Sequence, residues 1–191
     1  MIVILNGPAG CGKDTIANIL SSEFDFRHHS MKYSLVLAAA YAAGMSPIGL
    51  ITLLNNRGTK DKVHDALGMS PRNWLIEVGE NFIKPYFGKG VFGEREAARC
   101  QLAIQEGETS FVYSDGGFPE ELEAMAKVLG EENILLVRLR RDGFTFEGDS
   151  RSYLEPIGDM PYLDIKLEDG KPEKAAQDIM SVHIQMLYGD M

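Results

Sequence analysis

The sequence predicts an α/β domain of three layers, α/β/α, built on a mainly parallel five-stranded sheet. Three observations carry this. Continuous apolar, largely β-branched runs recur along the chain, as strands buried on both faces require. Between them lie stretches with apolar residues three and four apart, the spacing of helices that cover a sheet. The first such run, MIVILN, leads directly into the glycine-rich segment GPAGCGKDT, which is followed by a helical pattern.

Taken in order, residues 2–5 form the first core strand, and Ile16, Ile19 and Leu20 mark the helix behind the glycine segment. The alanine-rich stretch 34–43 is a helix stopped by Gly44 and Pro47, and the apolar stretch 48–54 suits another. Ser70-Pro71 is a helix start: serine caps, and proline takes the first position, where its missing N–H costs nothing. Trp74, Leu75, Val78 and Phe82 give that helix one apolar face, and Pro85 with Gly88 closes it. A further helix is expected from Phe92 to about Gln105. SFVYSD, residues 110–115, is the second core strand, and PEELEAMAKVLG is a helix that stops at Gly130. ENILLVRLRR repeats the strand pattern. Residues 140–161, with glycines, acids and prolines but few apolar anchors, read as a lid-like loop. A short strand near 163–167 precedes a C-terminal helix from Pro172, with Ala176, Ile179, Val182 and Met186 along one side. The whole chain, 1–191, reads as one domain with a helical region over about 32–106.

At 191 residues such a domain buries roughly 70% of its unfolded surface. With 28 acidic and 19 basic residues the formal charge is -9, a field that repels nucleic-acid polymers and anionic membranes. Cys11 and Cys100 lack metal-site spacing, as do the four histidines, and a disulfide at Cys11 would immobilise the glycine segment. Both read as free thiols of a reducing compartment. No stretch has the form of a secretory leader or reaches the ~20 apolar residues of a membrane span. The expectation is a soluble cytoplasmic protein, in the host's cytoplasm if the gene is carried by a phage. A homodimer is compatible with the sequence.

GPAGCGKDT has the form of a phosphate-binding loop, G-x-x-x-x-G-K-[ST], with one departure. Gly7, Gly10 and Gly12 let backbone N–H groups, those of Ala9 and Cys11 among them, converge on an anion at a helix N-terminus. Lys13 supplies the charge that bridges β- and γ-phosphates. Asp14 stands where a hydroxyl normally meets magnesium, and a carboxylate is an equally hard oxygen ligand. Thr15 follows, placed for the α-phosphate. Asp115, at the carboxyl end of the second core strand, has the position of the acid that orders magnesium in such domains. The implied fold is therefore of the P-loop nucleoside triphosphate hydrolase type, with ATP as phosphate donor and Mg2+ as cofactor.

DGGFPEE, following that strand, resembles the D-G-F-P-R segment of nucleoside monophosphate kinases. It is still closer to the D-x-R-F-P-N-E segment of phage-type deoxynucleoside monophosphate kinases. That family also carries GKDT in its loop, a middle P-R segment, matched here by SPRNWLIEVGENFIKPYFGKGVFG, and a late D-x-H-x-S-E stretch, matched by DSRSYLEP. The order spans nearly the whole chain. The departures are Gly117 and Lys84 in place of arginines, Arg151 in place of histidine and Tyr153 in place of glutamate. The resemblance implies an acceptor-binding region over about 32–106 and a lid over 140–161.

Phosphoryl transfer between two anions needs neutralising charge, and the planar fork of arginine suits it. Arg72 matches the family's P-R position and is a candidate for the acceptor phosphate, as are Lys32, Lys84 and Arg138. Arg141 and Arg151 are the candidates for the transition state, beside Lys13 and Asp115. The expected activity is transfer from ATP to a (deoxy)nucleoside monophosphate. Two alternatives stay open: another small phosphorylated acceptor, as in dephospho-coenzyme A or phosphomevalonate kinases, and a nucleotide-binding regulatory protein without turnover.

Overall fold

The computed structural model describes residues 1–188. Its five strands are β1 (Ile2–Asn6), β2 (Arg27–His29), β3 (Phe111–Tyr113), β4 (Ile134–Arg140) and β5 (Tyr162–Lys166). All neighbouring pairs are parallel, in the order β2-β3-β1-β4-β5. β1 is central and buried along its whole length, which is why its sequence is continuously apolar rather than alternating. β2 is the strand that hydrophobic pattern does not reveal. It is three polar residues long, lies at the sheet edge and is held by pairing with β3 rather than by apolar burial.

Side-chain alternation divides β1 between two cores. Val3 and Leu5 pack with Ile16, Ala17 and Leu20 of α1 (Lys13–Glu23) and with Ala176 and Ile179 of α8 (Pro172–Tyr188). Ile2 and Ile4 pack on the other face with Ala97 and Cys100 of α6 (Val91–Gln105) and Leu122 and Met125 of α7 (Pro119–Leu129). The three layers are thus each sealed by buried side chains. Both cysteines are buried free thiols.

A third, smaller core lies within the helical region between β2 and α6. Val36, Ala39 and Ala40 of α2 (Tyr33–Ala42), Leu50 of α3 (Pro47–Asn55) and Val78 close on one another. Trp74, in α4 (Pro71–Ile76), donates its indole N–H to Ala39 O at 2.9 Å. Ser70 caps α4, its hydroxyl accepting from Asn73 N. The expected single helix past Ser70 is instead interrupted: Glu77–Ile83 is a π-helix, and Lys84–Phe87 forms the one-turn α5. Pro85 lacks an N–H and crowds the turn before it, and the wider turn accommodates this. Phe82, expected on the apolar face of that helix, is 59% exposed rather than in the core.

Between β4 and β5 the chain has no helix or strand, and the second half of this loop is anchored. Leu154 and Met160 are buried in the core, and Asn6 at the end of β1 accepts from Leu154 N at 3.0 Å and donates to Ser152 O at 3.2 Å. The loops that follow β1, β3 and β4 all leave the carboxyl edge of the sheet, on either side of its central strand. Open parallel sheets place their ligands at this edge.

Candidate active site

The loop between β1 and α1 is shaped by close approaches. A Cβ at Gly7 would lie 2.8 Å from Leu139 O, so only glycine lets the loop press against β4. Gly10 and Gly12 have φ of 77° and 121°, backbone that other residues rarely adopt. Cys11 N bonds Pro8 O, but the N–H groups of Gly10, Gly12, Lys13, Asp14 and Thr15 meet no protein acceptor among the described residues. Five free donors at the start of an eleven-residue helix constitute an anion cradle. The Lys13 ammonium, 8% exposed, folds back to donate to Gly7 O at 2.6 Å and Pro8 O at 2.7 Å. Burial lowers its pKa. This fits a triphosphate: donors without partners, and a desolvated cation tethered at the rim.

Asp14 lies in the first turn of α1, and its Oδ1 accepts from Ser114 Oγ at 2.7 Å. Ser114 Oγ is in turn 2.9 Å from His28 Nε2 on β2. A serine hydroxyl has one proton and an ionised carboxylate only accepts, so the imidazole must donate to the serine. Asp115 turns the other way: its Oδ2 accepts from Ser30 Oγ at 2.6 Å and its Oδ1 from Met31 N at 2.9 Å, with Lys32 Nζ 3.8 Å away. The acid at the strand end therefore braces the entry to α2. Asp14, Asp115 and Lys13 supply hard oxygens and a phosphate cation at one sheet edge, a donor set that suits Mg2+ bound to a nucleotide.

Arg151 reaches the same edge from the loop between β4 and β5. Its Nε and Nη2 donate to the two oxygens of Asp149 at 2.9 and 2.6 Å, and its own N–H donates to Oδ1. This fork holds the Asp149 carboxyl down at about 2. The Arg151 stem lies directly on Gly117: a Cβ there would meet its Cδ at 2.5 Å. Arg151 and Asp149 are near enough for their charges to act on Lys13, and the Asp115 and Glu121 carboxylates act on Arg151. Lys84 approaches from α5, its ammonium 4.5 Å from the Phe118 ring centroid and 2.6 Å from Glu80 Oε1.

Of the remaining candidates Arg141 borders the glycine loop, its Nη1 3.5 Å from Cys11 O, whereas Arg138 and Arg72 are held elsewhere by ion pairs. Arg141 pairs with Asp169, sits 4.9 Å over the Phe144 ring and lines an open pocket of about 210 Å³ with Gly12, Thr15, Leu167 and Gly170. Phe144 also covers Gly10, tying the β4–β5 loop to the glycine loop. Arg138 is engaged by Asp164 at 2.5 Å and Glu155 at 2.9 Å, so its guanidinium binds the second half of the β4–β5 loop to β5. Arg72 pairs with Asp61 at 2.6 Å on the helical region's surface. Sequence reasoning missed Ser114, His28, Ser30 and Asp149. Asp149 alone carried a signal, its place two residues before a candidate arginine.

No family model matches the chain, and no curated protein matches it. A sugar kinase from a Janibacter species, in an unliganded crystal structure, is 12% identical and superposes over 100% of this chain and 98% of its own at a TM-score of 0.54. Shikimate kinase from Aquifex aeolicus is 15% identical over 100% of each chain, at a TM-score of 0.42. Dephospho-CoA kinase from Campylobacter jejuni is 11% identical over 100% of this chain and 98% of its own, at 0.47. At 12% identity the likeness to the sugar kinase is one of fold alone: a parallel five-stranded sheet, flanked by helices, with a glycine loop after its central strand.

Proposed function

We propose that the chain is a magnesium-dependent kinase that moves the γ-phosphate of ATP onto a (deoxy)nucleoside monophosphate. The observation that carries this is the Arg151 guanidinium, held by Asp149 between two regions. One is the donor-rich loop with Lys13; the other is the acceptor side with Asp115, Glu121 and Lys84. An acceptor phosphate oxygen attacks the γ-phosphorus while the bond to the β-bridging oxygen breaks, and ADP leaves. The nucleophile is already ionised, so no general base is required and catalysis is alignment and charge neutralisation.

On this reading the free N–H groups of Gly10, Gly12, Lys13, Asp14 and Thr15 and the Lys13 ammonium grip the triphosphate, and Arg141 borders the pocket for the donor's base. Magnesium, when bound, would neutralise the phosphate oxygens, with Asp14 as its candidate protein ligand and Asp115, whose oxygens Ser30 and Met31 hold, as the candidate that orders its water shell. Lys32 and Lys84 enter from the helical region, which serves as the acceptor-binding part, with residues 140–161 as the lid. Arg72 and Arg138, as placed, serve through their ion pairs unless closure releases them. Another small phosphorylated acceptor would leave every donor-side role unchanged. Lys13→Ala should abolish ADP formation from ATP in the presence of nucleoside monophosphates, measured by a coupled assay. Unchanged turnover would rule the mechanism out.

A further inference from the structure

We propose that the hydroxyl and the carboxylate that jointly seat magnesium have exchanged places in this chain: Asp14 in the loop takes the metal, and Ser114 behind β3 fixes Asp14. In the usual arrangement the loop lysine is followed by Ser or Thr, and the acid comes from the neighbouring strand. Here the residue after Lys13 is the acid, and the hydroxyl comes from the chain just past β3. The two meet at 2.7 Å, Ser114 Oγ to Asp14 Oδ1. The same pair of groups stands at the same corner, with the elements that supply them reversed.

Three further observations bear on it. Ser114 is 7% exposed, and its hydroxyl is satisfied on both sides, donating to Asp14 and accepting from His28. Its proton is thus committed to the carboxylate. Asp14 is exposed, and its Oδ2 has no protein partner among the described residues, which leaves one oxygen open to a hard cation while the other is anchored. Both oxygens of Asp115, the acid that ends the strand, are taken by Ser30 and Met31. Ser114 is therefore a positioning residue acting through Asp14.

The proposal rests on the kinase reading only in requiring a magnesium-bound nucleotide, so binding rather than turnover tests it. ADP is titrated calorimetrically into the full chain with and without Mg2+, and Mn2+ in the same complex is followed by electron paramagnetic resonance. Ser114→Ala should lose roughly tenfold of the metal-dependent gain in affinity, the weight of one hydrogen bond to a charged group, with metal-free affinity unchanged. Asp14→Asn, at an exposed position that does not threaten folding, should lose that gain and alter the Mn2+ spectrum. The exchange Asp14→Ser with Ser114→Asp should recover most of what each single change loses. A Ser114→Ala protein that binds Mg2+ and ADP like wild type, an Asp14→Asn protein with the gain intact, or a double variant no better than the worse single one would overturn the proposal. Wild-type protein showing no metal-dependent nucleotide binding would instead remove the kinase reading on which it rests.

Discussion

Gly117 and Arg151 are thirty-four positions apart, yet one decides the conformation of the other. The guanidinium is locked by the Asp149 fork, and its stem lies where any side chain at 117 would have to go. The glycine that breaks the resemblance to nucleoside monophosphate kinases thus makes room for the arginine that breaks it at 151. Gly117→Ala should displace the guanidinium by about an ångström and lower turnover by roughly a hundredfold, with little change in melting temperature. Turnover within twofold of wild type would show that Arg151 does not act from this position. Pattern reading reached Lys13, Asp14 and Arg151 because motif spacing marks them. It missed Ser114 because a serine beside a strand has no signature until its partner across the sheet is known. It also left open which arginines face the site: Arg138 and Arg141 follow one another closely on and after β4 but end in different surroundings.

At the level of elements, α6 and α7 pack so closely that a Cβ on Gly93 would fall 2.1 Å from Glu121 O. That approach carries Glu121, on the buried face of α7, into the interior, where desolvation pushes its pKa up to about 7 from 4.5 against the opposing pull of Lys84. Glu96 on α6 is raised to about 7 by the same cause, opposed by Arg99. A carboxyl whose folded pKa is raised binds more protons folded than unfolded. Their contribution to stability therefore falls as pH rises from about 4.5 to about 7 and is flat above. Each group contributes at most about 3 kcal/mol to that slope. Burial lowers His29 from 6.5 to about 4 and lowers His183 as well, so the histidines oppose the carboxyls with stability that rises over the same window. The assignment is therefore read as a difference: in melting curves across this window Glu121→Gln should be less destabilised by rising pH than wild type, by one group's share, and an identical slope in the variant would contradict it. Apolar strands and capped helices were legible because burial and capping leave compositional marks. β2 was not, since Arg27, His28 and His29 are ordered by pairing alone, and neither was the π turn, whose cause at Pro85 reads equally well as a helix end.

Over the whole molecule, an acidic chain brings four of its 19 basic residues together at one edge. Parallel order places the loops after β1, β3 and β4 at the carboxyl ends of the strands, on both sides of the central one. Lys13, Arg151, Lys32 and Lys84 collect there in a molecule of formal charge -9, so local potential rather than net charge governs anion binding. No single helix among the described residues is long and apolar enough to cross a membrane. The most direct measurement is a panel of ribo- and deoxyribonucleoside monophosphates offered with ATP and Mg2+, scored by the nucleoside diphosphate formed. The account predicts diphosphate from at least one member, in equal amount to ADP. ATP bound with magnesium but no diphosphate from any acceptor would contradict it.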